Sequence, residues 1–377
     1  MSRELIRLTQ KLIRIDSQNP PGKEREIALF IKGYLKNLRL TCRIYEFKKD
    51  RLNVVCKIPS LKNKKSIVFV PHLDTVPVSG TWRFGPFSGK IFKDKIYGRG
   101  ASDCKSNVGV AMYLIKRLKE ENIRLNNLDL IFAFSADEET GSNFGIKALL
   151  KQLKGIHYGV VLDASDFNII VAQKGLLHLR VEVLGKEAHG AFPERGINAI
   201  EKSIYALRDI LQTDFSYKPH CLLNRPTLNI GRFSGGDKVN IVAGYAFFEL
   251  DIRYLPSMEK KEIIKDIEKL LKKHIEKYKV TILASQPPIE IDKNNFLIKI
   301  LEQTLKNHNI KPCLKPSFGA TVINFLKDEG IESFAFGFGT EGCAHTKNEY
   351  VKIKNLYKGV DVLKDYIVSL DKYLERV

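Results

Sequence analysis

The sequence predicts an α/β protein with two domains, one of which is inserted into the other. Its 377 residues exceed the length at which a single hydrophobic core keeps growing, so two domains are the default expectation. Strands alternate with helices in the first part of the chain and again near its end, which is typical of an α/β sheet. Around Gln173 the pattern changes to the apolar–polar alternation of half-exposed antiparallel strands, which indicates an α+β insertion.

Two helices are predicted at the start of the chain. In the first, apolar residues recur at helical spacing with charges between them, which indicates an amphipathic helix rather than the apolar core of a secretory signal. These apolar residues are Leu5, Ile6, Leu8, Leu12 and Ile13. A second helix is predicted over residues 23–38, after the turn Asn19-Pro20-Pro21-Gly22. We therefore expect a protein without a secretory leader.

Three apolar strands of the first domain are each followed by side chains that can bind metal ions. The strands are Ile67–Val70, Leu128–Phe134 and Val160–Leu162. In open α/β sheets, ligands bind in the crevice beyond the carboxyl ends of the strands. We therefore expect the three loops to converge on one site, although they lie far apart in the sequence.

Antiparallel strands and two helices are predicted for the insertion. A helix over Asn198–Leu211 is followed by strands at Pro226–Phe233 and Tyr245–Tyr254 and then by a long lysine-rich helix. After this block the chain returns to the helix and strand pattern of the first domain. The predicted boundaries place the first domain at residues 1–174 and 288–377 and the insertion at 175–287.

The charge balance is strongly basic, with 62 Lys and Arg against 43 Asp and Glu, a net charge of +19. Such an excess fits nucleic acid, a membrane surface or an anionic small substrate. The lysines are spread over the polar faces of helices and form no cluster interleaved with aromatic residues, so we expect no nucleic-acid partner. An uninterrupted apolar stretch long enough to span a membrane is absent from the sequence, so we expect no membrane partner.

Cysteine usage indicates the compartment. The six cysteines are scattered, and no two of them form a C-x-x-C pair. Without a disulfide framework or a secretory signal, a thiol-reducing compartment is the simplest interpretation. We therefore expect a cytoplasmic protein.

Two motifs place candidate ligands at loops. In His72-Leu73-Asp74, residues two apart on extended backbone share a face, so Asp74 can accept the imidazole N–H while the other ring nitrogen faces a metal ion. Taken alone, this pattern is more often a surface pair. In Gly98-Arg99-Gly100-Ala101-Ser102-Asp103, the glycines allow a sharp turn before Asp103, which precedes a strong helix. Taken alone, Asp103 fits a helix cap or turn residue equally well.

The remaining candidates are acidic residues and a histidine. Asp137, Glu138 and Glu139 follow a buried strand, and adjacent carboxylates are tolerated most readily where a cation neutralises them, although a solvated acidic turn is the alternative. Asp163 ends another strand, and His345 lies near the end of the chain. Together the candidates offer two histidines and three carboxylates, a set that suits a pair of zinc-like ions bridged by one aspartate.

Five motifs, HLDTVP, GRGASDCK, SADEETG, LDAS and AHTKNE, resemble those of the dinuclear zinc amidohydrolases in order and approximate spacing. That family includes acetylornithine deacetylase, succinyl-diaminopimelate desuccinylase, aminoacylase and carboxypeptidase G. The resemblance implies a mixed-sheet catalytic domain of zinc-peptidase type with an inserted α+β lid and dimerisation domain. It also implies a homodimer that binds two Zn²⁺ per chain, for which Co²⁺ can substitute.

The resemblance also implies roles for the candidate residues. The two metal sites would share one carboxylate, and their ligands would be His72 and Asp163 for one ion, Glu139 and His345 for the other, and Asp103 for both. Asp74 would orient His72, and Glu138 would be the general base.

Three further residues of the insertion match the same family. His189 would reach across a dimer to polarise the scissile carbonyl in the partner's site, Asn240 would contact the substrate, and Arg253 would receive the substrate carboxylate through its planar donor fork. For each of them the alternative is an ordinary polar residue of a loop or sheet surface. For Asn240 and Arg253 the residues by themselves favour that alternative.

The sequence thus predicts a cytoplasmic, homodimeric metallo-amidohydrolase that cleaves small anionic N-acyl amino acids with a metal-activated water, as acetylornithine deacetylase and desuccinylase do. A dipeptidase or carboxypeptidase of the same fold is the first alternative. An inactive relative that binds metal and serves as a binding protein is an alternative of another class, but such a protein has no use for a free base at Glu138. A nucleic-acid-binding protein is the last alternative, and only the net charge supports it.

Overall fold

The computed structural model describes residues 3–376, except 318 and 320. The helices of this part of the chain are α1 Arg3–Arg14, α2 Glu24–Asn37, α3 Lys105–Glu120, α4 Ile146–Leu150, α5 Ala199–Leu211, α6 Lys260–His274, α7 Phe296–Asn307, α8 Ile323–Asp328 and α9 Ile353–Glu375. The strands are β1 Cys42–Glu46, β2 Leu52–Ile58, β3 Lys65–Val70, β4 Lys90–Phe92, β5 Lys95–Tyr97, β6 Leu128–Phe134, β7 Tyr158–Val161, β8 Ile169–Gln173, β9 Gly175–Leu184, β10 Thr227–Gly235, β11 Tyr245–Tyr254, β12 Tyr278–Gln286, β13 Ile289–Glu290, β14 Leu314–Ser317, β15 Glu332–Phe336 and β16 Tyr350–Lys352. Short 3₁₀ turns lie at Glu138–Thr140 and Pro193–Arg195.

The chain divides into two compact units. As far as their residues are described, the first unit consists of Met1–Val171, Ile291–Lys315 and Thr321–Val377, and the second consists of Ala172–Glu290 and Pro316–Ala320. The main junctions thus lie three residues from the boundaries that the sequence pattern predicts.

A mixed sheet forms the centre of the first unit. Its strands follow the order β1-β2-β6-β3-β7-β15-β8, in which β6, β3, β7 and β15 are parallel and the pairs β1-β2, β2-β6 and β15-β8 are antiparallel. Every residue of β6 and β7 is buried, as expected for parallel strands that are covered on both faces. Helices α1, α3, α7 and α9 pack against one another in this unit. The predicted α/β fold with a mixed sheet is confirmed.

The three loops that carry candidate ligands leave this sheet side by side. Strand β3 lies between β6 and β7 and is parallel to both, so the carboxyl ends of all three strands lie at one edge. Beyond the strands, Leu73 N donates to Ser135 O at 2.8 Å, and Leu162 N donates to Val70 O at 3.0 Å. These backbone hydrogen bonds hold the loops together where the candidate side chains begin.

The second unit has the antiparallel pattern predicted for the insertion. Its sheet follows the order β10-β11-β9-β12, and alternate residues of β11 are buried. Helices α5 and α6 contribute to its apolar core with Ala206, Ile210, Ile263, Ile267 and Leu271. Helix α5 starts one residue after its predicted first residue, because Asn198 caps the helix and its side chain accepts hydrogen bonds from the amides of Ile200 and Glu201.

The inserted unit begins and ends at neighbouring positions. Strand β13 pairs antiparallel with β8, so that Ile289 lies opposite Gln173 and Glu290 lies opposite Ala172. One residue further out, Ile291 N donates to Val171 O at 2.9 Å. The two ends of the main segment of this unit, Ala172–Glu290, therefore meet in one antiparallel ladder.

None of the helices in the described part of the chain combines the length and apolar character that a membrane span requires.

Candidate dinuclear metal site

His72 lies immediately beyond β3 and is almost completely buried, with 2% of its side chain exposed. Its Nε2 atom lies 2.8 Å from Asp103 Oδ1 and 3.9 Å from Asp163 Oδ1. Its Nδ1 atom lies 3.0 Å from the backbone carbonyl of Asp74 and 3.6 Å from the Asp74 carboxylate. The carbonyl of Asp74 is thus the nearer partner of the ring, whereas the sequence pattern suggested the carboxylate.

Asp103 lies between the two predicted histidines. Its Oδ1 atom faces His72, and its Oδ2 atom lies 3.2 Å from His345 Nε2. Burial opposes ionisation, but the hydrogen bonds of His345 and His72 outweigh burial and hold the pKa of Asp103 well below its usual range. A carboxylate that presents each oxygen to a different imidazole has the geometry required to bridge two cations.

His345 and Glu139 form the second side of this arrangement. His345 Nε2 lies 3.1 Å from Glu139 Oε2, and hydrogen bonds to Asp103 and Glu139 raise the pKa of His345 to about 10. Glu139 Oε1 is buried and has no hydrogen-bond partner within the described residues. A buried carboxylate oxygen without a donor is destabilising unless a cation or water satisfies it, which fits a metal ligand.

Two further acidic side chains are crowded into the same space. Burial and the charge of Asp103 raise the pKa of Asp163 to about 7. Burial, together with the charges of Asp163 and Glu139, raises the pKa of Glu138 well above its usual value. Such mutual repulsion is relieved when a cation binds between the carboxylates.

The donor atoms fit metal ions. One group of atoms within 4.8 Å of one another comes from His72, Asp103 and Glu139, and a second comes from His72, Cys104 and Asp163. The Cys104 thiol donates to the Leu162 carbonyl at 2.9 Å, and burial raises its pKa to about 11. Because only the thiolate is a good ligand, we assign the second group to the imidazole and the carboxylate.

Asp74 also supports the acidic turn. Its Oδ1 atom accepts a hydrogen bond from Glu138 N, and its Oδ2 atom accepts one from Glu139 N, each at 3.1 Å. Asn19 Nδ2 donates to the same Oδ2 at 2.8 Å and to Thr140 Oγ1 at 2.8 Å. Sequence reasoning missed Asn19, which it treated only as part of a turn before a helix.

A buried ion-pair network lies next to the acidic turn. Arg51 Nη2 is 2.6 Å from Asp137 Oδ1, and Arg51 Nε donates to Glu24 Oε1 at 2.9 Å. Asp137 adopts a left-handed backbone conformation with φ of 65°, and its Oδ2 accepts from Phe144 N at 2.9 Å. No local motif marks Arg51 or Glu24, because their partners are distant in the sequence.

Two candidates of the inserted unit lie on adjoining loops. Gly190 N donates to Asn240 O at 2.8 Å, and a β-bridge pairs His189 with Ile241. His189 and Asn240 are both exposed, and His189 Nδ1 accepts from Ala191 N at 3.0 Å. The structure thus brings these two residues together within their own unit.

Arg253 is the third candidate of this unit and already binds a carboxylate. Its Nε lies 2.8 Å from Asp251 Oδ1, and its Nη2 lies 3.2 Å from Asp251 Oδ2. Asp251 Oδ1 also lies 3.4 Å from His178 Nε2. To bind Arg253, a substrate carboxylate would have to displace Asp251 from the guanidinium group or share that group with it.

Comparison with known proteins gives one consistent result. The sequence profile of the Peptidase family M20/M25/M40 matches residues 68–369. An uncharacterized metallohydrolase of Methanococcus maripaludis is 31% identical over 97% of this chain and 98% of its own. The succinyl-diaminopimelate desuccinylase of Buchnera aphidicola is 25% identical over 98% of this chain and 100% of its own. The crystal structure of a tripeptidase from Staphylococcus aureus superposes with a TM-score of 0.79 at 24% identity, over 100% of this chain and 99% of that one.

Proposed function

Since the chain belongs to the peptidase family M20/M25/M40, and is therefore a hydrolase of amide or peptide bonds, we propose that it is a dinuclear metalloenzyme that hydrolyses small N-acyl amino acids. The position of Asp103 carries this proposal, because its two oxygens face His72 and His345 separately. The desuccinylase among its relatives supports a deacylase.

In this proposal two Zn²⁺ ions, for which Co²⁺ can substitute, occupy the site. The ligands would be His72, Asp163 and Asp103 for one ion and Glu139, His345 and Asp103 for the other. When bound, such ions lower the pKa of a bound water and polarise the substrate carbonyl.

Glu138 is the proposed general base. Desolvation of its carboxylate and the neighbouring Asp163 and Glu139 raise its pKa, so it can hold a proton during turnover. It takes one proton from the attacking water while the water oxygen bonds to the amide carbon. The same proton passes from Glu138 to the leaving nitrogen as the C–N bond breaks, which regenerates the carboxylate and yields a carboxylic acid and an amine.

Asp74 holds this base in place. Because its carboxylate accepts hydrogen bonds from the backbone amides of both Glu138 and Glu139, the base and its neighbouring ligand keep one relative orientation. The Asp74 carbonyl near His72 Nδ1 favours the tautomer whose Nε2 is free to bind metal.

The inserted unit completes the proposed site in a homodimer. His189 would stabilise the oxyanion in the partner's site, Asn240 would contact the substrate, and Arg253 would bind the substrate carboxylate. The exposure of His189 and Asn240 supports contact with a group outside their own unit. We propose that the enzyme acts in the cytoplasm, with no nucleic-acid or membrane partner.

A dipeptidase or carboxypeptidase is the second candidate function. The tripeptidase structure has the same fold, but at 24% identity it supports the fold alone. An inactive binding protein is the third candidate, and the raised pKa of Glu138, which suits a residue that holds a proton during turnover, argues against it.

A substrate panel tests the proposal. The protein, prepared with Zn²⁺ or Co²⁺, is assayed on N-acetyl and N-succinyl amino acids and on dipeptides, with the chelated protein and Glu138→Gln as controls. We expect metal-dependent release of free amino acid from at least one N-acyl class at the highest kcat/KM of the panel. Faster cleavage of dipeptides than of every N-acyl substrate would instead establish the peptidase, and inactivity on all substrates would favour the binding protein.

A further inference from the structure

We propose that Glu349 is a positioning residue that sets the spacing between the bridging ligand Asp103 and the second-site ligand His345. The inference rests on the proposed dinuclear site and adds to it a residue that has no role in the proposed chemistry. Its basis is a buried hydrogen-bond cluster that joins the two loops.

The Glu349 carboxylate accepts four hydrogen bonds although only 1% of the residue is exposed. Its Oε1 atom accepts from the backbone amides of Ser102 at 2.8 Å and Asp103 at 3.0 Å. Its Oε2 atom accepts from the amide of Gly100 at 3.0 Å and from Arg99 Nη1 at 2.9 Å. Three amides of the segment that ends at Asp103 therefore converge on one side chain.

This convergence gives the Asp103 loop its shape. Gly100 has a φ of 82°, a left-handed conformation that glycine adopts readily. Its amide donates to the same carboxylate as those of Ser102 and Asp103. Backbone amides that converge in this way form a concavity that binds an anion. Without the carboxylate of Glu349, these donors would remain buried and unsatisfied, and the loop would have to rearrange.

Glu349 is also bound to the loop that carries His345. Only three residues separate the two, and Arg99 Nη1, which pairs with Glu349, lies 3.3 Å from the Thr346 carbonyl. On the other side, Tyr350 begins β16, which pairs with β5. The backbone of Glu349 is thus fixed by the sheet, while its side chain holds the loop of Asp103.

The two proposed metal sites depend on this link to different degrees. His72 is 2% exposed and is held by the Asp74 carbonyl, so its position does not require Glu349. His345 has 54% of its side chain exposed and a φ of 61°, and its ring contacts Asp103 and Glu139 through Nε2. A change at Glu349 should therefore weaken the site of His345 more than the site of His72.

Arg99 supplies a natural reporter of the same cluster. Its guanidinium lies 5.2 Å from the ring centroid of Trp82, the only tryptophan in the sequence. Indole fluorescence responds to a cation that stacks on the ring. The emission of Trp82 should therefore report whether the Arg99–Glu349 pair is intact.

Stepwise metal titration of the full-length protein tests the proposal. Glu349→Gln keeps the size and shape of the side chain. It replaces one accepting oxygen with an NH₂ group, which cannot accept the hydrogen bonds that this oxygen accepts from its donors. We expect Glu349→Gln to bind the second Zn²⁺ about 10 to 100 times more weakly than the wild type does, the range usual for partners of metal ligands. The first step should weaken less, because His72 keeps its position although Asp103 is a ligand in both sites. The emission of Trp82 should shift in the metal-free variant. The matched control is Glu341→Gln, an exposed acid on the same loop that pairs with Lys315 at 2.5 Å and should leave both steps unchanged.

Two milder variants cover the case in which Glu349→Gln does not fold. Glu349→Asp keeps the charge and should restore part of the second step, and Arg99→Lys should weaken that step without removing an acceptor. If the folded variants among these three bind both ions with wild-type affinities, Glu349 does not position the site, although the dinuclear site itself stands. If the wild type binds fewer than two ions, the proposed function fails, and this inference fails with it.

Discussion

The candidate residues of the two units differ in the contacts that they make within their own unit. In the first unit the candidates are held by one another and by buried neighbours, and Asp103 pairs with both His72 and His345. In the second unit His189 and Asn240 are exposed, and Arg253 is engaged by Asp251. We therefore expect the first unit to bind metal ions by itself, and the candidates of the second unit to act only when substrate or another subunit is bound.

This difference separates two kinds of variant. Substitutions among the ligands should remove metal and activity together. Substitutions at His189, Asn240 or Arg253 should leave metal content unchanged and alter turnover or substrate preference alone. The following predictions test that separation, from the largest expected effect to the smallest.

Asp103→Ala should have the largest effect, because it removes the carboxylate that pairs with both His72 and His345. We expect loss of both ions, measured by elemental analysis of protein prepared without chelator. We also expect loss of all measurable activity in a substrate assay. Asp361→Ala, which removes a partly exposed acid of α9 that pairs with Arg117, is the control and should keep both ions. Full metal content in Asp103→Ala would exclude the bridging role.

Glu138→Gln should separate metal binding from chemistry within the first unit. The amide cannot take a proton from water, so kcat should fall by at least about 10²-fold, as is typical when a general acid–base group is removed. Metal content should stay close to that of the wild type, because Glu138 is not a proposed ligand. Normal turnover by this variant would require a different base.

His189→Ala should keep its metal ions, because His189 is not a proposed ligand. It should lose turnover, because the variant lacks the proposed donor to the oxyanion in the partner's site. Mixing it with Glu138→Gln tests that origin, because a mixed dimer contains one site with both residues intact. If subunits exchange freely, half of the dimers are mixed, and activity should recover to about a quarter of the wild-type value. No recovery, with exchange verified by light scattering on tagged chains, would mean that His189 does not act across a dimer.

Arg253→Ala should have the smallest effect, because Asp251 already occupies the guanidinium. In this variant, kcat/KM for a substrate with a free carboxylate should fall by about 10 to 100-fold, as expected for a lost charge-assisted hydrogen bond. For the substrate in which that carboxylate is replaced by an amide, kcat/KM should change little. Asp251→Asn is the informative partner, since it frees the fork and should increase the preference for the acid. Equal rates on acid and amide in the wild type would remove Arg253 from recognition.

The sequence predicts those parts of the molecule whose signals are local. Strands β6 and β11 have the predicted bounds, because each is a short apolar or alternating run between polar loops. Strand β7 starts two residues before its predicted start at Val160, since Tyr158 pairs with Ile67 on one side and Glu332 on the other. Neither partner is visible in a local pattern.

The residues that support the site were harder to predict for the same reason. Asn19, Glu24 and Arg51 are polar residues of the first 51 positions whose partners lie far along the chain, so a local pattern treats them as surface or turn residues. Glu349 stands inside the motif that contains His345, yet its four donors come from positions 99–103. Three of the proposed ligands, His72, Glu139 and Asp163, lie just beyond apolar strands, whereas the side chains that support them become evident only in the folded chain.

The ladder between β8 and β13 brings together the two ends of the segment Ala172–Glu290. Because Ala172 and Glu290 lie opposite each other, residues between them can be added or removed without opening a gap in this ladder. A tight turn could close this hairpin in place of the whole insertion. Evolution can therefore alter or replace the segment that carries His189, Asn240 and Arg253 while the ligand loops stay constant, and protein engineers can graft a different recognition module at the same junction.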